Sequence, residues 1–297
     1  MVRTYNDLYR RAKQILEPMD GDLAGVAARE LLCLAAEKTK EELLRDMGLY
    51  VPEDVPEKLA ALVRQYMDGK PLQYLVGRWD FFGITLQLSE QVLIPRDDTA
   101  VVTALAMEAV KELSQPRVLD LCTGTGCIGL AMAHHLPGVR VTLADLSEPA
   151  LRLAKENTAA LHLNGRVSVV KADVRSEAPA YLGQYDVIVS NPPYITTAEM
   201  ETLPHSVRDY EPHMALHGGE DGLDFYRAIC RNYAGLVKPG GAFCFEFGKG
   251  QEDAVGAILR EYGFEKQLYC RDTSNIIRAV LARRNGEELE HGEKEND

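Results

Sequence analysis

The sequence predicts an α/β protein in which a doubly wound sheet follows a small helical bundle, with a β-hairpin between them. Three observations carry this expectation. From residue 116 onward, short apolar runs of strand length alternate with helical runs, the pattern that specifies parallel strands linked by crossovers. YDVIVS at 185–190 is almost wholly apolar, the mark of a strand covered on both faces. Residues 1–70, by contrast, hold helical spacing only. A length of 297 residues suits two domains.

The elements follow in order. Thr4 with Asp7 forms a capping-box pattern, and Leu8, Ala12, Ile15 and Leu16 continue it at helical spacing. A second helix starts at Asp22 and runs through ARELLCLAAEK. Thr39 with Glu42 is a second capping box, ahead of Leu43 and Leu44. A fourth helix carries Leu59, Leu62, Val63 and Tyr66, and Gly69 and Pro71 stop it. WDFFGITLQL alternates loosely around Gly83 and is followed by QVLIP, which together read as a β-hairpin over 72–95. A helix is expected over 99–113. Strands are expected over 117–122, 139–145, 166–173, 185–190 and 241–247, with two more near the C-terminus. Helices are expected over 128–136, 149–161, 222–236 and 251–262. The domain reading is a helical domain over 1–71, a hairpin linker over 72–97, a sheet domain over 98–285 and an acidic, disordered tail over 286–297.

Charge narrows the function. The chain carries a net charge of −12, and the final twelve residues, with six acids and one lysine, account for five of those charges. Nucleic-acid coats draw their affinity from clustered Lys and Arg, so direct nucleic-acid binding is not expected. The six cysteines include no CxxC pair and no Cys/His group with zinc spacing, so free thiols and no metal are expected. The N-terminus is polar, without the apolar stretch of a secretory signal, and no window approaches the ~18 apolar residues of a membrane span. A cytoplasmic, soluble, monomeric protein without membrane contact is the expectation.

Ligands of doubly wound sheets bind beyond the carboxyl ends of the strands, so the loops there hold the chemistry. The first is Asp120-Leu-Cys-Thr-Gly-Thr-Gly-Cys-Ile-Gly129, in which Gly124, Gly126 and Gly129 satisfy GxGxxG. Asp145, twenty-one residues after Gly124, ends the next strand, where an acid binds a ribose diol. This fits a dinucleotide, and it fits S-adenosylmethionine (SAM), which has the same adenosine but no pyrophosphate. Asp120 favours SAM: a carboxylate before the loop repels phosphate and suits the ammonium group of a methionine moiety. The bland alternative is a strand–helix turn without a ligand, and two acids in register argue against it.

The second loop is Ser190-Asn191-Pro192-Pro193-Tyr194. A bare Asn-Pro-Pro is a rigid turn. Here it leaves a central strand and offers the Asn191 side-chain carbonyl, the Pro192 backbone carbonyl and the flat face of Tyr194. Two acceptors and a ring describe a receptor for a planar NH2 group.

Together these loops resemble those of amino-group class I SAM-dependent methyltransferases. More narrowly, LQYLVG (72–77), VLIPR (92–96) with Thr99, Glu211-Pro212 with Ala215-Leu216, and GGEDGLDFYR (218–227) are similar to the release factor glutamine methyltransferase family (HemK/PrmC). So are Gly240-Gly241, Glu246, Gln251, Arg271-Asp272 and Arg278. The resemblance covers nearly the whole chain. It departs at Asp97-Asp98-Thr99-Ala100, where the family has Pro-Glu-Thr-Glu, and at Cys122, where it has glycine. It implies a seven-stranded class I methyltransferase sheet and a helical domain that recognises substrate. It also implies methylation of the glutamine amide in the Gly-Gly-Gln loop of class-1 peptide chain release factors, with S-adenosylhomocysteine as product and no metal. Asn191, Pro192, Pro193, Tyr194 and Arg96 would meet the substrate, with Asn191, Pro192 and Tyr194 catalytic. Asp120, Cys122, Thr123, Gly124, Thr125, Gly126, Asp145, Leu146, Asp173, Val174 and Asn191 would hold SAM.

Three other readings stand beside this one: glutamine methylation of a ribosomal protein, N6-adenine methylation of nucleic acid, and a non-catalytic adaptor that binds release factor. The remaining conspicuous residues have plainer readings. His134 and His135 face solvent or neighbours, Trp79 is a core residue, and Glu246 ends a strand where it either contacts the reactants or orders the site.

Overall fold

A computed structural model describes residues 3–284 of the chain. The acidic segment 286–297 lies outside the described residues. The chain divides into two compact units. One holds the residues up to Trp79 with Gln87–Glu90 and Leu203–Glu211; the other holds Asp80–Leu86, Gln91–Thr202 and the residues from Pro212 on.

The first unit is built on four helices: α1 (Tyr5–Asp20), α2 (Ala24–Ala36), α3 (Lys40–Asp46) and α4 (Val55–Met67). Both expected capping boxes form. Asp7 N donates to Thr4 Oγ1 at 3.2 Å while Thr4 N donates to Asp7 Oδ2 at 2.9 Å. Glu42 N and Thr39 N exchange the same pair of bonds at 3.1 and 2.9 Å. Each box satisfies two N–H groups that a helix start otherwise leaves unpaired. Tyr5, Leu8, Ala12 and Leu16 line one face of α1 and pack with Leu31 and Leu32 of α2 and Leu59 and Val63 of α4. Trp79 packs against this cluster, as a core residue should.

Residues 72–95 differ from the expected hairpin at both ends. Leu72–Val76 is a helix (α5), closed by Gly77 at φ 73°, and only Arg78–Phe81 (β1) and Ile84–Gln87 (β2) pair as a ribbon. QVLIP is irregular. Phe82 and Gly83 both have positive φ, 45° and 78°, the pattern of a two-residue turn that matches strand twist. Phe82 tolerates it because its ring meets His135 edge-on at 5.7 Å and its carbonyl lies 2.7 Å from His135 Nε2.

The second unit continues with α6 (Thr99–Val110), β3 (Arg117–Leu121), α7 (Cys127–His135), β4 (Arg140–Asp145), α8 (Glu148–Ala160), β5 (Val167–Lys171) and β6 (Tyr185–Ser190). Two short helices, α9 (Thr197–Met200) and α10 (His205–Arg208), interrupt the next loop. Then come α11 (Asp224–Tyr233), β7 (Val237–Glu246), α12 (Glu252–Glu261), β8 (Lys266–Arg271) and β9 (Ile277–Arg283). Strands β3–β9 form one sheet in the order β5-β4-β3-β6-β7-β9-β8. Neighbours from β5 to β7 are parallel, and β9 runs antiparallel to both β7 and β8.

The period of two along each strand sorts side chains into two cores. Val187 and Val189 of β6 and Ala242 and Cys244 of β7 join the core that holds α6, α7 and the hairpin tip. Ile188, Phe243, Phe245 and Phe247 face the other core, with Tyr226, Ile229 and Tyr233 of α11 and Val255 and Leu259 of α12. The aromatics there pack ring to ring, Phe243 to Phe264 at 4.7 Å and Phe243 to Phe245 at 5.0 Å. The chain steps outward from β3 to β5 and returns to β6 on β3's other side. The order therefore reverses between β3 and β6, where Leu121 pairs with Ser190, and a crevice opens beyond that pair.

Candidate active site

A cavity of about 500 Å³ occupies the crevice. Its wall includes the glycine loop from Cys122 to Thr125, Asp145 and Leu146 after β4, Asp173 and Val174 after β5, and Asn191 and Pro193 after β6. Val92, Ile94, Arg96 and Thr99 close another side, and Phe225 and the stretch Pro212–Ala215 a third.

The glycine loop is tight because three contacts fold it. Thr123 N donates to Ala144 O at 3.1 Å, Gly126 N to Thr123 O at 2.8 Å, and Asn157 Nδ2, from α8, to Thr125 O at 3.0 Å. Gly126, at φ 85°, is the N-cap of α7. A Cβ on Gly129 would fall 2.4 Å from Leu143 Cδ2, so glycine there lets α7 lie on β4.

Asp145 sits where the sequence expects it, on the cavity wall. Its Oδ2 accepts from Gly124 N and its Oδ1 from Ser147 N, both at 2.9 Å, while burial pushes its carboxyl pKa up. Each oxygen keeps a second lone pair, enough to accept from a diol. Leu146, Asp173 and Val174 join it on the wall, and Arg175 pairs with Asp173 at 3.2 Å.

Asp120 differs from the expectation. Its side chain is fully buried and is not part of the cavity wall. Oδ2 accepts from Thr123 Oγ1 at 2.6 Å and from Gly129 N at 3.0 Å, and burial raises its pKa to about 7. The side chain of Asp120 turns inward because the start of α7 lies over it, so it braces the glycine loop from behind instead of meeting an ammonium group.

Cys122 adopts φ 55°, a left-handed conformation that costs a non-glycine residue about 1–2 kcal/mol. Replacement by glycine is expected to raise the melting temperature by about 2 °C in calorimetry, the scale of ~1 kcal/mol in a chain of this size. A lower melting temperature would mean that the thiol's contacts outweigh the strain.

At the end of β6, Ser190 Oγ donates to Leu121 O at 2.6 Å, and Asn191 Nδ2 donates to Thr99 Oγ1 at 3.1 Å. Thr99 is buried at the start of α6, and its carbonyl accepts from Thr103 Oγ1 at 2.9 Å. Pro192 and Tyr194, expected to meet the substrate, differ from that expectation: Pro192 is buried, and both lie off the cavity wall. Gln251 fixes the exit of this loop: Nε2 donates to Tyr194 O at 3.0 Å and Oε1 accepts from Gly248 N at 2.8 Å. Among the described residues, no three His, Cys, Asp or Glu side chains are grouped to hold a metal ion, and no helix is long and apolar enough to cross a membrane.

Two family models match the chain: the PrmC N-terminal domain over residues 7–77 and the methyltransferase small domain over 96–207. The release factor glutamine methyltransferase of Clostridium botulinum is 33% identical over 259 residues, 87% of this chain and 92% of that one. The enzyme of the same name from Geobacter sulfurreducens is 39% identical over 243 residues, 80% of this chain and 84% of that one. The chain belongs to the release factor glutamine methyltransferase family. Among solved structures, the hMettl16 catalytic domain in complex with MAT2A 3'UTR hairpin 1 superposes with a TM-score of 0.57 at 19% identity, over 77% of this chain and 91% of that one. That likeness concerns the fold, a class I methyltransferase sheet.

Asp98, within the stretch where the chain departs from the family pattern expected above, lies 3.6 Å from Arg278, which also binds Asp272 at 3.1 Å. Sequence reasoning missed Asn157, Val92, Ile94 and Phe225. Val92 and Ile94 lie in VLIPR and Phe225 in GGEDGLDFYR, segments that carry the family resemblance, and Asn157 left the signal of an asparagine inside an amphipathic helical run.

Proposed function

We propose that this chain transfers a methyl group from SAM to the side-chain nitrogen of the Gly-Gly-Gln glutamine in class-1 release factors. The observation that carries the proposal is the placement of Asn191 on the same cavity wall as Asp145 and the glycine loop. A carboxylate suited to a ribose diol and an amide suited to a planar NH2 group thus face one space. The donor set fits SAM: Asp145 and Asp173 offer acceptors, and Leu146, Val174 and Ile94 offer apolar surface for an adenine ring.

SAM, when bound, supplies an electrophilic methyl on a sulfonium. The rest is the work of the chain. A glutamine amide nitrogen is a weak nucleophile, because its lone pair is shared with the carbonyl. Asn191 Oδ1, on the cavity wall, accepts one of its hydrogens, pushes electron density onto nitrogen and aims it. Orientation of this kind can supply ~7–11 kcal/mol, and the oriented carbonyl dipole adds to it as positive charge builds on nitrogen. Asn191 is not a base, since a neutral amide takes no proton near pH 7; the methylated nitrogen, now acidic, loses its proton afterwards. The products are S-adenosylhomocysteine and N5-methylglutamine, and a substrate used in translation makes the cytoplasm the working compartment. Mass spectrometry of purified release factor incubated with the protein and SAM is expected to show one added methyl on the Gly-Gly-Gln glutamine. A methyl elsewhere, or on a ribosomal protein or adenine instead, would reject this substrate.

The helical unit serves substrate choice in this reading. It exposes Leu44, Leu49 and Tyr50 within seven residues of chain, at 77, 59 and 71%. Exposed apolar groups in such density suit a protein partner. Replacing all three by serine is expected to raise KM for intact release factor about tenfold, with turnover of a short Gly-Gly-Gln peptide unchanged. Equal effects on both substrates would assign the helices another purpose.

A further inference from the structure

We propose that Glu246 is a positioning residue that sets which way the Asn191 side-chain amide faces, acting through the Thr99 hydroxyl. The proposal rests on the methyl-transfer reading above, because only that reading needs Oδ1 and not Nδ2 turned toward the substrate.

The geometry leaves Asn191 an ambiguous neighbour. Thr99 Oγ1, 3.1 Å from the Asn191 amide nitrogen, is a hydroxyl that can accept from Nδ2 or donate to Oδ1. Nothing in the pair itself chooses between the two flips. A third group must claim the hydroxyl proton, and Glu246 is in place to do so. It ends β7 beside the end of β6, one residue past the Ser190–Phe245 pair. It is 1% exposed, and Tyr226 Oη donates to its backbone carbonyl at 2.8 Å. Neither of its carboxyl oxygens has a hydrogen-bond partner, so this buried group has acceptor capacity unspent.

The consequences follow from hydrogen-bond polarity. An ionised carboxylate only accepts. It takes the Thr99 proton, Oγ1 then accepts from Asn191 Nδ2, and Oδ1 is left as the acceptor for the substrate amide. A protonated Glu246 reverses the chain: its O–H donates to Oγ1, the hydroxyl donates to Oδ1, and Nδ2 turns to the substrate, where a donor meets donors. Burial raises the Glu246 carboxyl to about 7, with Thr99, the Arg278 guanidinium of β9 and Asn191 pulling it down and Asp98 ahead of α6 pushing it up. The other titratable groups that sense Glu246 are Cys127 of α7, Tyr194 after β6 and Tyr226 of α11, and burial pushes all three upward, away from neutrality. The receptor is therefore intact above pH ~7 and lost as pH falls through it.

The test compares wild type, Glu246→Gln and Glu246→Leu at saturating SAM, which removes any pH effect that Asp120 exerts on SAM binding. Wild-type kcat should fall about tenfold per pH unit below a midpoint near 7. Glu246→Gln, isosteric and untitratable, should lose that acidic limb. Glu246→Leu should lose at least ~10-fold in kcat at pH 8 with SAM affinity within twofold, since Glu246 is not on the cavity wall. In a Thr99→Val background, Glu246→Gln should change the pH profile no further. A second readout needs no turnover: the Asn191 side-chain NH2 resonances, assigned against Asn191→Ala, should titrate near pH 7 in wild type and stay fixed in Glu246→Gln. An acidic limb that survives in Glu246→Gln, or Asn191 resonances indifferent to both pH and the substitution, would overturn the proposal. Wild type that methylates no release factor would sink the functional reading instead, and the resonances would still decide the flip.

Discussion

Asn191→Ala is expected to lower turnover of release factor at least ~100-fold while the protein stays folded and its affinity for SAM changes much less. The side chain removed stands at the carboxyl end of β6, on the cavity wall, with its amide nitrogen on Thr99 Oγ1 at 3.1 Å. Without it one substrate hydrogen loses its acceptor in the cavity, at a cost of ~1–3 kcal/mol. The nitrogen also loses its aim, and each 1.36 kcal/mol is tenfold in rate. Asn191→Asp is the sharper variant. It keeps the shape and an acceptor oxygen, so it should retain more activity than alanine, yet its negative charge beside the cation perturbs SAM binding. It also trades the Nδ2 donor for an acceptor, so Thr99 Oγ1 must turn its proton from Glu246 toward residue 191. Single-turnover kinetics with intact release factor separates these effects. Near wild-type turnover by Asn191→Ala would return Asn191 to the role of a turn residue.

What could be read from the sequence was whatever is local and periodic. YDVIVS is a strand over all six of its residues, and both capping boxes form, because each pattern is decided within a few positions. The glycine loop and Asp145 were legible for a similar reason: the end of one strand and the end of the next are neighbours in any sheet of this kind. The short helix Leu72–Val76 was not, since five residues are too few to display a helical period. QVLIP looks like a strand but has no pairing partner. The grouping of Leu203–Glu211 with the helical unit is a tertiary fact, visible in Tyr210 Oη donating to Asp68 O at 3.2 Å across 142 residues. Asp120 shows the limit within a motif. Its position at the strand end was correct, but period-two alternation does not tell whether α7 covers the side chain, and that cover turns a candidate ligand into a brace. Thr99 and Asn191 lie 92 residues apart, so their bond needed the fold.

Asp145→Ala is expected to weaken SAM binding by ~1.5–3 kcal/mol, roughly a 10- to 150-fold rise in Kd, the scale of hydrogen bonds to a charged group. Two causes could produce that loss, and the structure contains both. The carboxylate can read a ribose diol, or it can act only by holding Gly124 N and Ser147 N, each at 2.9 Å, so that the loop keeps its shape. The two are separable by titrating calorimetrically with S-adenosylhomocysteine and with its 2′,3′-dideoxy analogue. If Asp145 reads the diol, the analogue already lacks the contact. It should bind wild type more weakly than its parent and lose little more when Asp145 is replaced. If Asp145 only braces the loop, the substitution should weaken both ligands by the same factor. Unchanged affinity of a folded Asp145→Ala for either ligand would remove Asp145 from the cofactor site altogether. The first outcome is expected because Asp145 lies on the cavity wall and each of its carboxylate oxygens has a lone pair beyond the one that Gly124 N or Ser147 N uses. A group that braces already, with acceptor capacity to spare on a cavity wall, costs nothing more to use as a ligand.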